Sequence, residues 1–210
     1  MNSRASRRMF SLALLSALIV LGVQVAYAGS LSPVVTVPVV AVFNGDSVAH
    51  AEVLRAVFVQ VERRPDQEPL CVILTHHPGM LDSNYQEPLE SAIANGLARL
   101  GYDTKGLTVH IGFAGRVRFT GPSLLGAIVI GTVAALEGRL LAPNLVLTGT
   151  VQSDGSLGPI GDLEVKIAGA GAYTVLYPDS QLSNVPYHLT SARTSLPVHT
   201  LEDARAIMLP

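Results

Sequence analysis

The stretch Leu124–Leu136 is apolar on every face and ends at Glu137-Gly138. A helix with no polar face must be buried on all sides, and this one is too short to cross a bilayer. The rest of the chain therefore has to wrap around it. Thr120-Gly121-Pro122-Ser123 leads into the run, with Pro in the position favoured at a first helical turn, so Ser123 is expected in that opening turn.

The flanking segments supply the wrapping. Val34 to Phe43 is β-branched and extended, with Pro38 marking an edge or a bulge, and Asn44-Gly45-Asp46 reads as a turn. Val48 to Glu62 is ambiguous, helical by propensity in its first half but alternating as a strand through Val57, Val59 and Val61. Arg63 to Pro69 is a polar loop. Leu70–Thr75 and Gly106–Phe113 read as strands, and a helix is expected from about Tyr85 to Leu100, starting near Asp82 or Ser83 and stopping at Gly101. Leu145–Val151 and Ser156–Ile160 flank the hairpin signal Ser153-Asp154-Gly155. Asp162 can cap a short helix through Lys166 to Ala170, before a strand at Tyr173–Tyr177 and a last helix at Leu201–Met208. Irregular alternation of strands and helices indicates an α+β (mixed α/β) domain over residues 34–208.

The first 28 residues stand apart. Arg4, Arg7 and Arg8 precede an apolar run from Met9 to Val25, and Ala26-Tyr27-Ala28 forms an A-x-A processing site. This reads as an export signal for a periplasmic or secreted protein. The rival is an uncleaved membrane anchor, since the run is little short of the ~20 residues that span a bilayer. Three of the 14 basic residues lie in this segment and all 16 acidic ones after it, so the remainder carries 11 against 16, a net charge of −5. That balance argues against nucleic acid and anionic membrane surfaces as partners. The lone Cys71 rules out an internal disulfide framework, and its apolar surroundings suggest a buried, inert thiol. His76-His77 with Asp82 lacks the helical spacing of zinc peptidases and reads as a loop, so no metal and no cofactor are expected.

Two residues could carry chemistry. Ser123, at a helix start, lies beside unpaired backbone N–H groups and the positive end of a helix dipole, which would stabilise an oxyanion; the bland alternative is that it only caps the helix. Lys166 is surrounded by Val165, Ile167, Ala168 and Ala170. Burial would favour the neutral amine, which can take a proton from a serine hydroxyl; the alternative is a lysine that snorkels to solvent. Lysine is scarce here, at two of the 14 basic residues, and arginine could not serve, because it does not give up its proton.

Taken together these motifs resemble the proteolytic domain of the Lon protease family over about Val109 to Met208. Gly121-Pro122-Ser123 is similar to the Gly-Pro-Ser around the family's catalytic serine. Leu147-Thr148-Gly149-Thr150, then Ser153 to Gly161, resembles the strand and hairpin leading to the catalytic-lysine helix, and Lys166 falls where that lysine is expected, 43 positions after Ser123. Tyr173–Pro178 and Val198–Ala204 resemble the family's final strand and helix. The resemblance implies a serine endopeptidase with a Ser-Lys dyad: Ser123 the nucleophile, Lys166 the general base, and Thr148 orienting the lysine. Gly121, Pro122 and Leu124 would contribute to the oxyanion or substrate site. It also implies possible assembly of several copies into a homo-oligomer.

The departures are specific. Leu124-Leu125 replaces the family's Ala-Gly, Thr120 replaces an acidic residue, and Asp162 stands four residues before Lys166, where a carboxylate on the same face would favour the charged amine. A cap role for Asp162 would remove that objection. No Gly-Lys-Ser or Gly-Lys-Thr phosphate loop occurs, so ATP-independent cleavage of peptides or unfolded proteins is expected. Arg116 and Arg118 either line a substrate groove or are solvated. Two other readings are a Lon-like domain turned binding or assembly module, and a peptidase active only beside another exported or membrane protein.

Overall fold

The computed structural model describes residues 29–44, 49–76, 80–81, 84–115, 118–119, 121–191 and 194–210. Residues 1–28, Asp82, Ser83, His77, Arg116, Thr120 and the Gly45-Asp46 turn lie outside that set. The expected α+β architecture is what the chain adopts.

A mixed sheet forms the larger layer, from β1 (Ser30–Leu31), β2 (Val35–Asn44), β3 (Ala49–Arg63), β4 (Cys71–Thr75) and β5 (Leu107–Phe113). β3 is central: β1 and β2 pair with it antiparallel, β5 pairs antiparallel along Val57–Arg63, and β4 joins β5 in parallel. The ambiguous stretch is thus strand throughout its described length. Val57, Val59 and Val61 are fully buried while Phe58, Gln60 and Glu62 are only partly covered, so a two-residue period and three strand partners override helical propensity. Pro38 sits where the β2–β3 register slips, between Val37 opposite Val57 and Val39 opposite Leu54. Lacking an N–H, Pro38 cannot donate to the ladder, and the strand bulges around it.

The sheet packs on α2 (Leu125–Glu137), whose residues Leu125 to Ala135 are all buried as its composition requires. α1 (Gln86–Arg99) packs against α2 and β4, and α5 (Leu201–Met208) packs against α2 as well. A side chain at Gly131 would collide with Val37, so this glycine lets helix and sheet approach closely. The remaining elements are three parallel strands, ordered β10 (Ser195–Val198), β9 (Thr174–Pro178), β6 (Leu145–Leu147), and a small ladder of β7 (Thr150–Val151) with β8 (Leu157–Gly158). Two short helices, α3 (Leu163–Gly169) and α4 (Tyr187–Ser191), flank them.

Burial divides into two clusters. The larger joins β2, β3, β5, α1, α2 and α5; the smaller joins Val40, Ala51, Val146, Leu163, Ile167, Ala170, Val175, Tyr177 and Val185. Cys71 is partly exposed rather than buried, because β4 lies at the edge of the sheet.

Candidate active site

Ser123 lies in a single 3-10 turn, Pro122–Leu124, that precedes α2 instead of forming its first turn. The turn is held by its backbone. The Ser123 carbonyl accepts from the Gly149 N–H at 2.7 Å and the Thr148 hydroxyl at 3.3 Å, and Gly126 N–H donates to the Gly149 carbonyl at 3.0 Å. These bonds explain why the expected strand Leu145–Val151 breaks after Leu147: the Thr148 N–H still donates to the Leu176 carbonyl, but the Gly149 N–H and C=O turn to Ser123 and Gly126. From the other side the Tyr85 hydroxyl donates to the Gly121 carbonyl at 3.4 Å.

Lys166 arrives from the smaller cluster. Leu163 and Ile167 anchor α3 there, and Gly169 lets the helix backbone press on the Ala51 carbonyl of β3, where any side chain would clash. Lys166 is consequently only 5% exposed. Burial pushes its amine below the ordinary lysine value, while the Asp162 carboxylate pulls the other way. Asp162 occupies the helix-start position but does not cap it: its backbone is left-handed, at φ 55°, and its side chain bonds no helix N–H. That corrects the cap expected from sequence. The left-handed turn leaves the carboxylate beside the pocket and within electrostatic reach of the lysine.

The two segments meet across one open pocket of about 270 Å³. Gly121, Pro122, Ser123 and Leu124 line it from the serine segment, and Pro159, Ile160, Gly161, Asp162 and Lys166 from the lysine segment. Val40, Ala41 and Val42 of β2, with Arg118, Phe119 and Thr150, complete the lining. Of the two arginines ahead of Ser123, Arg118 therefore lines the groove. Among the described residues no hydrogen bond joins Ser123 Oγ to Lys166 Nζ, and Thr148 bonds the serine carbonyl rather than the lysine. Leu124 and Leu125 are themselves buried, so most of their bulk is directed into the core.

Three contributors were not visible in sequence. Gln181 is buried, and its side-chain amide bonds both the N–H and the C=O of Ile160, each at 2.9 Å, bracing the lysine-side wall like an added strand. Tyr85 braces the serine side. Val40–Val42 carry only a strand pattern, which says nothing about which pocket a strand borders. Among the described residues no group of three or more His, Cys, Asp or Glu is placed to hold a metal ion.

No family model matches the chain. It is 32% identical over 105 residues to Lon protease 1 of Sorangium cellulosum, a match covering 47% of this chain and 13% of that protein. It is 30% identical over 114 residues to Lon protease of Chloroflexus aurantiacus, covering 51% of this chain and 14% of that protein. The chain thus corresponds to a small fraction of these relatives' length. The similarities support a Lon-like family and a protease-type domain.

Proposed function

We propose that the chain is a serine endopeptidase that cleaves peptides or unfolded proteins through Ser123 and Lys166. The observation that carries this reading is a nearly fully buried lysine, its amine shifted toward neutrality, lining the same open pocket as a serine in the 3-10 turn before α2. In the first step neutral Lys166 takes the hydroxyl proton as Ser123 Oγ bonds the scissile carbonyl carbon. The carbonyl π electrons move to its oxygen, where backbone N–H groups of the Gly121–Leu124 turn would stabilise the charge. Collapse breaks the C–N bond, and Lys166 returns its proton to the leaving amine. Water then repeats the cycle on the acyl-enzyme, releasing the acid. Catalytic hydrogen bonds commonly tighten only once substrate is bound, which accommodates a dyad unjoined beforehand.

The pocket suits an extended chain. β2 pairs only with β3 among the described strands and its Val40–Val42 stretch lines the pocket, which suits a substrate laid beside it as an added strand. These residues need no nucleotide, so cleavage would be ATP-independent and limited to chains already unfolded. Export, and residence outside the cytoplasm either free or anchored, completes the proposal on the strength of residues 1–28.

The test is casein cleavage by the full chain and its Ser123→Ala, Lys166→Ala and Lys166→Arg variants. Activity in the parent and a loss of about 10³-fold or more in all three supports the dyad. Parent activity no higher than the variants' refutes it. Asp162 favours a second reading, a catalytically impaired binding module, because its carboxylate stabilises the charged lysine. Stoichiometric labelling of Ser123 by a fluorophosphonate excludes that reading; no labelling supports it.

A further inference from the structure

We propose that the face bearing Leu31, Val34 and Leu140 rests on the surface of a lipid bilayer. These large apolar side chains are 61, 55 and 83% exposed. They come from segments far apart in sequence that together line two grooves, one after the other along both segments. Leu31 lines a groove of about 300 Å³ with residues 135–138, and Val34 and Leu140 line one of about 250 Å³ with residues 141–145. Apolar surface arranged this way, rather than scattered singly, marks a contact face.

Two further observations identify the occupant. The described linings carry Arg63 and Arg55 against one carboxylate, Glu137, which is already paired with Arg139 at 3.1 Å and Arg205 at 2.7 Å, so the charge there is opposite in sign to that of the chain as a whole. Exposed aliphatics among long arginine stems are the composition of an interfacial surface, where the stems lie along the acyl boundary and the guanidiniums reach the phosphates. Second, Gly29 packs against Glu62 and Arg63 at this same end of the sheet. The apolar run Met9–Val25 ends four residues earlier, a reach of about 14 Å when extended. When that run sits in a bilayer, residues 30–34 cannot be far from its surface.

The docking does not rest on the peptidase reading, but it gives that reading a geometry. Val35 borders the second groove and Ala41 the active-site pocket, and the six-residue step between them along β2 spans about 20 Å. A docked molecule would hold its pocket that far from the lipid contact, within reach of unfolded segments of proteins lodged in or emerging at the membrane.

The chain contains no tryptophan, so Leu140→Trp introduces a single reporter. The full-length variant is reconstituted into phosphatidylcholine vesicles containing lipid brominated near the headgroup end of the acyl chain. The expected result is a blue-shifted emission that loses most of its intensity to the brominated lipid. Tyr187→Trp, on the exposed α4, should keep its emission unchanged, and adding Leu31→Glu and Val34→Glu to the Leu140→Trp chain should restore the lost intensity. Leu31→Trp serves as a second reporter should the first variant fold poorly. An unquenched reporter in vesicle-bound protein overturns the proposal, as does equal quenching at position 187. Shielding from both brominated lipid and aqueous iodide also overturns it, since a second copy of the chain would then cover the grooves.

Discussion

At Lys166 two influences on one amine oppose each other: burial favours the neutral base, and Asp162 favours the charged form. Asp162→Asn should therefore lower the amine's proton affinity further and move the acidic limb of the pH dependence of kcat/KM to lower pH, leaving its plateau within a few-fold of the parent. An unmoved limb would show that Asp162 does not act on the catalytic proton. Burial also sets a stability trend. Because the folded state holds the Lys166 proton more weakly than the unfolded chain, stability rises with pH up to the ordinary lysine value of about 10.4 and falls as pH drops from there toward the lowered folded-state value. Lys166→Met should abolish cleavage, flatten that slope and stabilise the fold by about 1–3 kcal/mol at pH 7, measured by urea denaturation. Ser123 and Lys166 were legible in the sequence as candidates because the motifs around them resemble the Lon pattern, and both line one pocket. Gln181 was not, since it works by bonding a distant peptide group, and the partner of Thr148 depends on where a strand ends.

Among the elements, α5 was readable to the residue and α2 within a turn, the latter because it has no polar face; the capping box of Thr200 and Asp203 that starts α5 is seen in the structure. β3 was not, because its first half is held as strand by pairing with β2 across their hairpin, and residue propensity does not encode that pairing. The placement of α3 depends on Gly169 lying against the Ala51 carbonyl. Gly169→Val should cost about 1–3 kcal/mol through forced repacking and reduce cleavage beyond that loss by displacing Lys166. Gly161→Ala, where an added methyl meets nothing within 4 Å, should leave the urea midpoint essentially unchanged. Equal destabilisation by both substitutions would contradict this account of how the helix docks.

For the molecule as a whole, the segments that carry the serine and the lysine are anchored in different hydrophobic clusters, the first through Leu124 and Leu125 in the large one around α2 and the second through Leu163 and Ile167 in the small one around α3. Units with separate cores open with separate free energies, and the one burying fewer side chains opens first. Native-state hydrogen exchange should find the amides of Ile167 and Val175 less protected than those of Val129 and Ile130, and cleavage should vanish at a urea concentration where the α2 signal is still native. Coincident loss would make the two clusters one cooperative unit. A molecule divided in this way has a silent state close at hand: partial opening of the α3 cluster would withdraw Lys166 while the scaffold around Ser123 stays folded. On the proposed peptidase and export reading, the chain would stay inert in transit and recover without refolding from the beginning, because bringing Lys166 to Ser123 would be the last event of folding.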